Sequence, residues 1–119
     1  MNSYIYGFDV ADIQNMIDSL MNGRQYVKKP SYVRRLVDLA AYLQKFMAFA
    51  EKYGKVLILF DDEQVWLLLR AIRTMMREFD FSIVKMTMWA NLYYRIRNRV
   101  PRSMWLGRDL YLPNVRKEV

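Results

Sequence analysis

The order of hydrophobic and polar positions predicts a strand followed by a helix at the start of the chain. Ser3 to Phe8 alternates aromatic with other side chains, a period of two that is typical of a short strand. Asp9 is a favourable helix N-cap, and apolar residues then recur at helical spacing to about Asn22. Gly23 follows at the position where glycine commonly ends a helix.

A longer helix and a second strand are predicted in the middle of the chain. From Ser31, the expected N-cap, two adjacent apolar stripes continue as far as Gly54, and so wide an arc indicates a central helix covered on two sides. Lys55 to Phe60 is a β-branched and aliphatic run that predicts a buried strand. Asp61 or Asp62 is then expected to begin a third helix with an apolar inner face.

The pattern between Phe81 and Arg102 fits either a helix or strands. As a helix capped by Ser82 and running to about Arg97, it buries one face and exposes a polar one; as a strand, Ile83 to Met88 would join the sheet. We expect the helix, because two helix-length segments joined by a short connector resemble a helix-turn-helix. The residues expected to be buried are Ile83, Met86, Ala90, Tyr93 and Val100.

The predicted fold class is α+β and mainly helical, with three to four helices, a short strand and a C-terminal β-hairpin. Apolar segments on either side of Gly107 and Arg108 predict the hairpin. We expect a single domain over residues 1–119, with residues 114–119 as a frayed tail. Helices followed by a hairpin are similar to a winged helix, in which the hairpin would serve as the wing.

Composition excludes several kinds of site. The 119 residues contain no histidine and no cysteine, which excludes disulfides, zinc ligation by those residues and histidine acid–base chemistry. We expect no metal and no cofactor. The apolar runs are far shorter than the roughly 20 residues that span a bilayer, and we expect no signal peptide. The expected location is the cytoplasm, or the host cytoplasm for a viral protein.

Positive charge is concentrated in the last third of the chain. Up to Asp80 there are 11 basic and 10 acidic residues, whereas from Phe81 onward there are 8 basic and 2 acidic residues. That last part therefore carries +6 of the net charge of +7. A concentrated positive field attracts polyanions through counterion release, and nucleic acid is the commonest such partner. A basic segment that only improves solubility is the alternative interpretation.

Side chains of the predicted fourth helix match the requirements of base and phosphate recognition. Asparagine amides can pair with adenine and guanidinium groups with guanine, while hydroxyls and cations contact phosphate. We therefore predict a nucleic-acid-binding surface, with DNA expected over RNA. Its residues are Lys85, Thr87, Asn91, Arg95, Arg97, Asn98, Arg99, Arg102 and Arg108.

Aromatic residues near these arginines suggest a second mode of binding. Trp89, Tyr93, Tyr94 and Trp105 could stack on the bases of RNA or of a single strand. An aromatic residue at helical spacing more often packs in the core, so we expect Trp89 and Tyr93 to be structural.

Acidic residues that follow the predicted strands allow an enzymatic alternative. Asp9 comes after the first strand, and Asp61 and Asp62 come after the second. Carboxylates at the ends of neighbouring strands can bind Mg²⁺ for phosphodiester cleavage, but the same positions are those of helix N-caps. A magnesium-dependent nuclease is therefore a minor alternative.

The combined prediction is a small basic DNA-binding protein, expected to be a homodimer. Its expected role is transcriptional or replication regulation of the viral or phage type. The main alternative is a non-enzymatic protein that inhibits or sequesters a host or partner protein, with its basic end on an acidic partner. Nine methionines and the aromatic excess suit an adaptable protein interface.

Overall fold

The computed structural model of the chain describes residues 2–78, 82–102, 105–106 and 109–110. These form a mostly helical α+β architecture, which confirms the predicted class. The elements in chain order are β1 (Ser3–Asp9), α1 (Val10–Gly23), a 3₁₀ turn (Arg24–Tyr26), α2 (Pro30–Tyr53), β2 (Lys55–Asp61), α3 (Asp62–Glu78), α4 (Ile83–Arg97), β3 (Trp105–Leu106) and β4 (Asp109–Leu110).

Three helices begin at the predicted capping residues. The Asp9 carboxylate accepts from the Asp12 N–H at 2.8 Å, and the Asp12 carboxylate accepts from the Asp9 N–H at 3.2 Å, which is a capping box. Asp61 and Gln64 exchange the same two hydrogen bonds at the start of α3, at 2.8 and 2.9 Å. The Ser82 hydroxyl accepts the N–H three residues later at 3.3 Å.

The second helix begins one residue before its predicted cap. Pro30 is the first residue of α2, and Lys29 precedes it in an extended conformation without a side-chain cap. Ser31 as the N-cap was therefore wrong, because the fixed φ of proline already suits the first helical position. At the other end, Gly54 has a φ of +83°, a conformation that favours glycine.

Strands β1 and β2 form an antiparallel pair with one face buried. Ser3 lies opposite Asp61, and Asp9 lies opposite Lys55. Aromatic and aliphatic side chains alternate toward the core along both strands, and the intervening residues point outward. The prediction of a buried β2 therefore holds for one face only, since alternate residues of its continuous apolar run are exposed. The buried side chains of the pair are Tyr4, Tyr6, Phe8, Ile58 and Phe60.

Helices α1, α2 and α3 pack together around the core, and α4 packs on α3. Residues 65–69 of α3 are all buried, so this helix is covered on most of its circumference. The region 83–88 begins α4, so the strand alternative for it was wrong.

A short hairpin follows α4. Trp105 lies opposite Leu110 and Leu106 lies opposite Asp109 in an antiparallel pair. Gly107 and Arg108, where the turn is predicted, lie outside the described residues. Among the described strands, this hairpin and the β1–β2 pair are separate sheets. The predicted tail, 114–119, and the side chain of Arg108 lie outside the described residues.

Candidate nucleic-acid interface

The orientation of α4 is fixed by a stripe of four buried side chains. Trp89, Leu92, Tyr93 and Ile96 recur at helical spacing and pack into the core. The opposite side of the helix consequently faces outward.

Three of the predicted site residues lie on the exposed side of this segment, and a fourth, Lys85, is exposed in its first turn. Lys85, Thr87 and Asn91 are exposed on α4, and Asn98 is exposed at its C-cap. The Thr87 hydroxyl donates to the Ile83 carbonyl at 2.8 Å, so its oxygen keeps its capacity to accept a hydrogen bond. The structure therefore brings two amides and a hydroxyl to one side of the helix, whereas Lys85, four residues before the buried Trp89, lies on the side of the buried stripe and is exposed in the first turn.

The first turn of α4 is less buried than predicted. Ile83 is 86% exposed and Val84 is 71% exposed, so a buried Ile83 was wrong. Nine positions at about 100° per residue place Ile83 half a turn away from the buried Leu92. Met86 and Ala90 are half-buried, whereas Tyr93 and Val100 are buried as predicted.

Arg95 is held by a contact within the protein. Its guanidinium lies 2.8 Å from the Asp12 carboxylate and 5.6 Å from the centre of the Phe8 ring. The ion pair ties the end of α4 to the start of α1. Arg95 is therefore already engaged in the fold.

Two further arginines stack on aromatic rings. The Arg97 guanidinium lies 5.0 Å from the centre of the Tyr94 ring, and that of Arg99 lies 5.8 Å from the centre of the Tyr6 ring. Such stacking uses the face of the guanidinium. Arg97 is half-buried with its Nε atom buried, whereas Arg99 is exposed. Arg102 is exposed beyond the helix.

One of the candidate stacking aromatics is exposed. Trp89 and Tyr93 are buried, whereas Tyr94 is 45% exposed and makes an edge-on contact with Tyr93, with ring centres 5.3 Å apart. The side chain of Trp105 lies outside the described residues. Of the four candidate aromatics, Tyr94, beside Arg97, is therefore the one whose ring the structure describes as exposed.

The charged residues of the segment 82–102 are all basic. Residues 82–102 include five basic residues, Lys85, Arg95, Arg97, Arg99 and Arg102, and no acidic residue. The carboxylate of Asp12, from α1, forms an ion pair with Arg95. This ion pair offsets one of the five positive charges of the segment.

The acidic residues of the magnesium alternative do not share a site. Because β1 and β2 are antiparallel, Asp9 and Asp61 lie at opposite ends of the sheet, about 20 Å apart for six residues of strand. Both carboxylates also cap helices. Among the described residues, no group of three or more acidic side chains could hold a metal ion.

A second basic surface lies beside the connector between α1 and α2. Arg70, Thr74 and Arg77 of α3 line a cleft whose other wall includes Tyr26 and Val27. The helical spacing of these three α3 residues can be read from the sequence. The sequence does not indicate that the connector between α1 and α2 packs against them.

No helix in the described part of the chain is long and apolar enough to cross a bilayer. Comparisons with protein-family models, curated protein sequences and solved structures find no match to the chain. Function is therefore inferred from α4 and its surroundings.

Proposed function

We propose that this protein binds nucleic acid, with duplex DNA as the preferred form, through the outward side of α4. The observation that supports this most is the charge of residues 82–102, which carry five basic and no acidic residues around an exposed set of hydrogen-bonding side chains. A basic surface of this kind gains affinity by releasing counterions from phosphates. A role in transcriptional or replication regulation is part of the same proposal.

Base contacts are assigned to the exposed face of the helix. A helix fits the major groove, where the amide of Asn91 can pair with adenine through its N6 and N7 atoms. Ile83 and Val84 at the exposed first turn suit the methyl groups of thymine, since the first residues of a recognition helix approach the bases. Thr87 lies between these positions and can contact a base edge or phosphate.

Phosphate contacts are assigned to the cations that flank this face. Lys85 lies near one end of α4, while Arg99 and Arg102 follow its other end. Arg95 is assigned a positioning role, because its contact with Asp12 holds the end of the helix against α1.

A winged-helix-like arrangement is the finer form of the proposal. α3 packs against α4, a short connector joins them, and the β3–β4 hairpin follows. In this arrangement α3 positions α4, and the hairpin contacts the backbone of the nucleic acid beside it.

The salt dependence of binding tests the electrostatic part of the proposal. Fluorescence anisotropy of labelled duplex and single-stranded DNA is measured at several salt concentrations. Each phosphate contact adds about 0.9 to the log–log slope on duplex DNA. Replacing Arg99 and Arg102 together by glutamine is expected to lower the slope by about 1.8 and to weaken binding to all sequences.

A double variant of α2 is the matched control. Arg34→Gln with Lys45→Gln removes the same charge from exposed positions of another helix and should leave the slope nearly unchanged. Equal effects of the two double variants would show a diffuse attraction without an α4 site. Absence of saturable binding at low salt would contradict the proposal as a whole.

Sequence preference tests the assignment of α4 to the groove. On a site selected from random duplexes, Asn91→Ala is expected to weaken binding by about 1–3 kcal/mol at one base pair. The same change should have little effect on unrelated duplexes, because it removes no charge. A uniform loss on all sequences would contradict the base contact.

A protein partner is the second candidate, and the exposed first turn of α4 favours it. Ile83, Val84 and Met88 are apolar and exposed beside Lys85, which suits the apolar groove and acidic rim of another protein. On this alternative, Ile83→Asn abolishes capture of the partner, and nucleic acid does not compete.

A further inference from the structure

The outward face of the β1–β2 sheet is an apolar surface. Ile5, Leu57 and Leu59 are about half or more exposed, with Leu57 at 69%. The register places Ile5 opposite Leu59. Leu57 precedes Leu59 by two residues in β2 and points to the same face, so the three side chains are neighbours. Contiguous exposed aliphatic residues on a sheet mark an interaction surface.

One exposed aromatic stripe of α2 lies along the edge of this sheet. The Tyr42 hydroxyl donates to the Leu59 carbonyl at 2.8 Å, which holds α2 along the edge of β2. Phe49 and Tyr53 lie seven and eleven residues after Tyr42, on the same side of the helix, and both are exposed. We call Ile5, Leu57, Leu59, Phe49 and Tyr53 the sheet surface.

This face carries one cation and two carboxylates at its ends, which suits a copy of the same face. Lys55 lies at one end with Asp9 across from it, and Asp61 lies at the other end with Ser3 across from it. We propose that the sheet surface binds a second copy of this chain, with the two sheets stacked face to face about a two-fold axis.

Both two-fold axes that stack the sheets give favourable contacts. When the axis runs across the strands, Lys55 meets Asp61 of the second copy, and Leu57 meets Leu59. When the axis runs along the strands, Lys55 meets Asp9 of the second copy, and Leu59 meets Ile5. In either case a cation faces a carboxylate and an aliphatic residue faces another, as an interface between identical surfaces requires.

The size of the face sets the expected affinity. A seven-residue strand is about 23 Å long, and two strands with an adjoining helix are about 20 Å wide, so the face covers roughly 460 Å² in projection. A stable interface of standard size buries about 800 Å² per partner. We therefore expect a reversible dimer with a micromolar dissociation constant.

Sedimentation equilibrium without nucleic acid tests this proposal separately from the proposed function. Between about 1 μM and 1 mM, the wild-type chain is expected to change from monomer to dimer. Leu57→Asp should be monomeric over this range with an unchanged unfolding midpoint, because Leu57 contributes little to the monomer core. Lys55→Glu should raise the dissociation constant about tenfold or more, since acid then faces acid.

The matched control is Lys28→Glu, which makes the same charge change at an exposed position of the α1–α2 connector and should leave the dissociation constant unchanged. A wild-type chain that stays monomeric at 1 mM would overturn the proposal. A Leu57→Asp chain that still forms a dimer would also overturn it, because it would indicate edge-to-edge pairing of the strands. Equal changes in the dissociation constant for Lys28→Glu and Lys55→Glu would overturn it as well.

Discussion

The guanidinium of Arg95 lies 2.8 Å from the carboxylate of Asp12, and this ion pair joins the last turn of α4 to the first turn of α1. The same carboxylate completes the capping box of α1. The sequence predicted that Arg95, like the other arginines of α4, binds an external anion. In the structure its guanidinium already has a partner within the protein.

The strength of this pair is expected to be modest. The Arg95 side chain is 47% exposed, so solvent screens the attraction, and a double-mutant cycle of Arg95→Ala with Asp12→Asn should give a coupling of about 0.2–1 kcal/mol. Urea denaturation of the four proteins measures it. Additive effects of the two changes would show that the contact contributes nothing to stability.

The hydroxyl of Tyr6 is expected to stabilise the end of α4. It donates to the Ile96 carbonyl at 2.7 Å in a buried position, and Ile96 is among the last residues of the helix, whose carbonyls lack an intrahelical donor. Tyr6→Phe should lower the free energy of unfolding by about 1–2 kcal/mol. Tyr42→Phe is the control, because its bond to the Leu59 carbonyl is exposed and water can replace it. Equal losses in denaturant titrations would contradict this difference.

Stability is expected to fall at alkaline pH. Burial and the neighbouring Asp62 carboxylate, which accepts the Tyr4 hydroxyl at 2.6 Å, raise the pKa of Tyr4 from 10.0 to about 12. Burial also raises the pKa of Tyr6. Above about pH 10, these two tyrosines lose their protons in the unfolded chain but keep them in the folded chain. The free energy of unfolding therefore decreases as pH rises above about 10 and is unaffected below it.

Denaturant titrations from about pH 8 to pH 12, with the phenolate absorbance followed in parallel, measure this effect. Tyr4→Phe should make the decline shallower, because it removes one of the two linked groups. If the free energy of unfolding of Tyr4→Phe falls as steeply with pH as that of the wild type, groups other than Tyr4 cause the pH dependence.

Two glycines are expected to respond in opposite directions to alanine. Gly54 has a φ of +83° with open space around it, so Gly54→Ala should lower the free energy of unfolding by about 1–3 kcal/mol through backbone strain alone. Gly23 has helical angles, and a Cβ there would meet Ala71 Cβ at an ordinary 3.8 Å. Gly23→Ala should raise the free energy of unfolding by about 0.4–1 kcal/mol. Thermal unfolding of both variants checks the two signs.

Two isoleucines of α4 should differ strongly in their contribution to the fold. Ile96 is fully buried, and Ile96→Ala is expected to lower the free energy of unfolding by about 2–5 kcal/mol. Ile83→Ala should change it by less than about 0.5 kcal/mol, because Ile83 is almost fully exposed. Denaturant titrations measure both, and a large loss for Ile83→Ala would mean that the first turn of α4 has a packed partner.

Local signals in the sequence predicted the elements, whereas tertiary packing decided which faces are buried. Asp9, Asp61 and Ser82 begin helices as their capping chemistry indicates, since a cap depends on residues within one turn. Ile83 and Leu57 are apolar but exposed, because the position of the neighbouring elements determines the direction of burial. Sequence alone gives no information on that position.

The candidate site was predictable in its helix and not in its internal contacts. The concentration of charge and the exposed Thr87 and Asn91 follow from spacing along one helix. The contact of Arg95 with Asp12 joins residues 83 positions apart, and that of Arg99 with Tyr6 joins residues 93 positions apart. No local pattern encodes such pairs.

The register of β1 with β2 also has a consequence for how the chain folds. The paired residues lie between 46 positions apart (Asp9 and Lys55) and 58 positions apart (Ser3 and Asp61). At about 5–20 residues per second, a ribosome needs roughly 3–10 s to complete β2 after β1 has been made. During synthesis the helical hairpin of α1 and α2 can form from local contacts, whereas β1 has no hydrogen-bonding partner until β2 has been made. Closure of this long loop should therefore be a late and slow step, and the aromatic face of β1 is the part of the nascent chain most in need of protection.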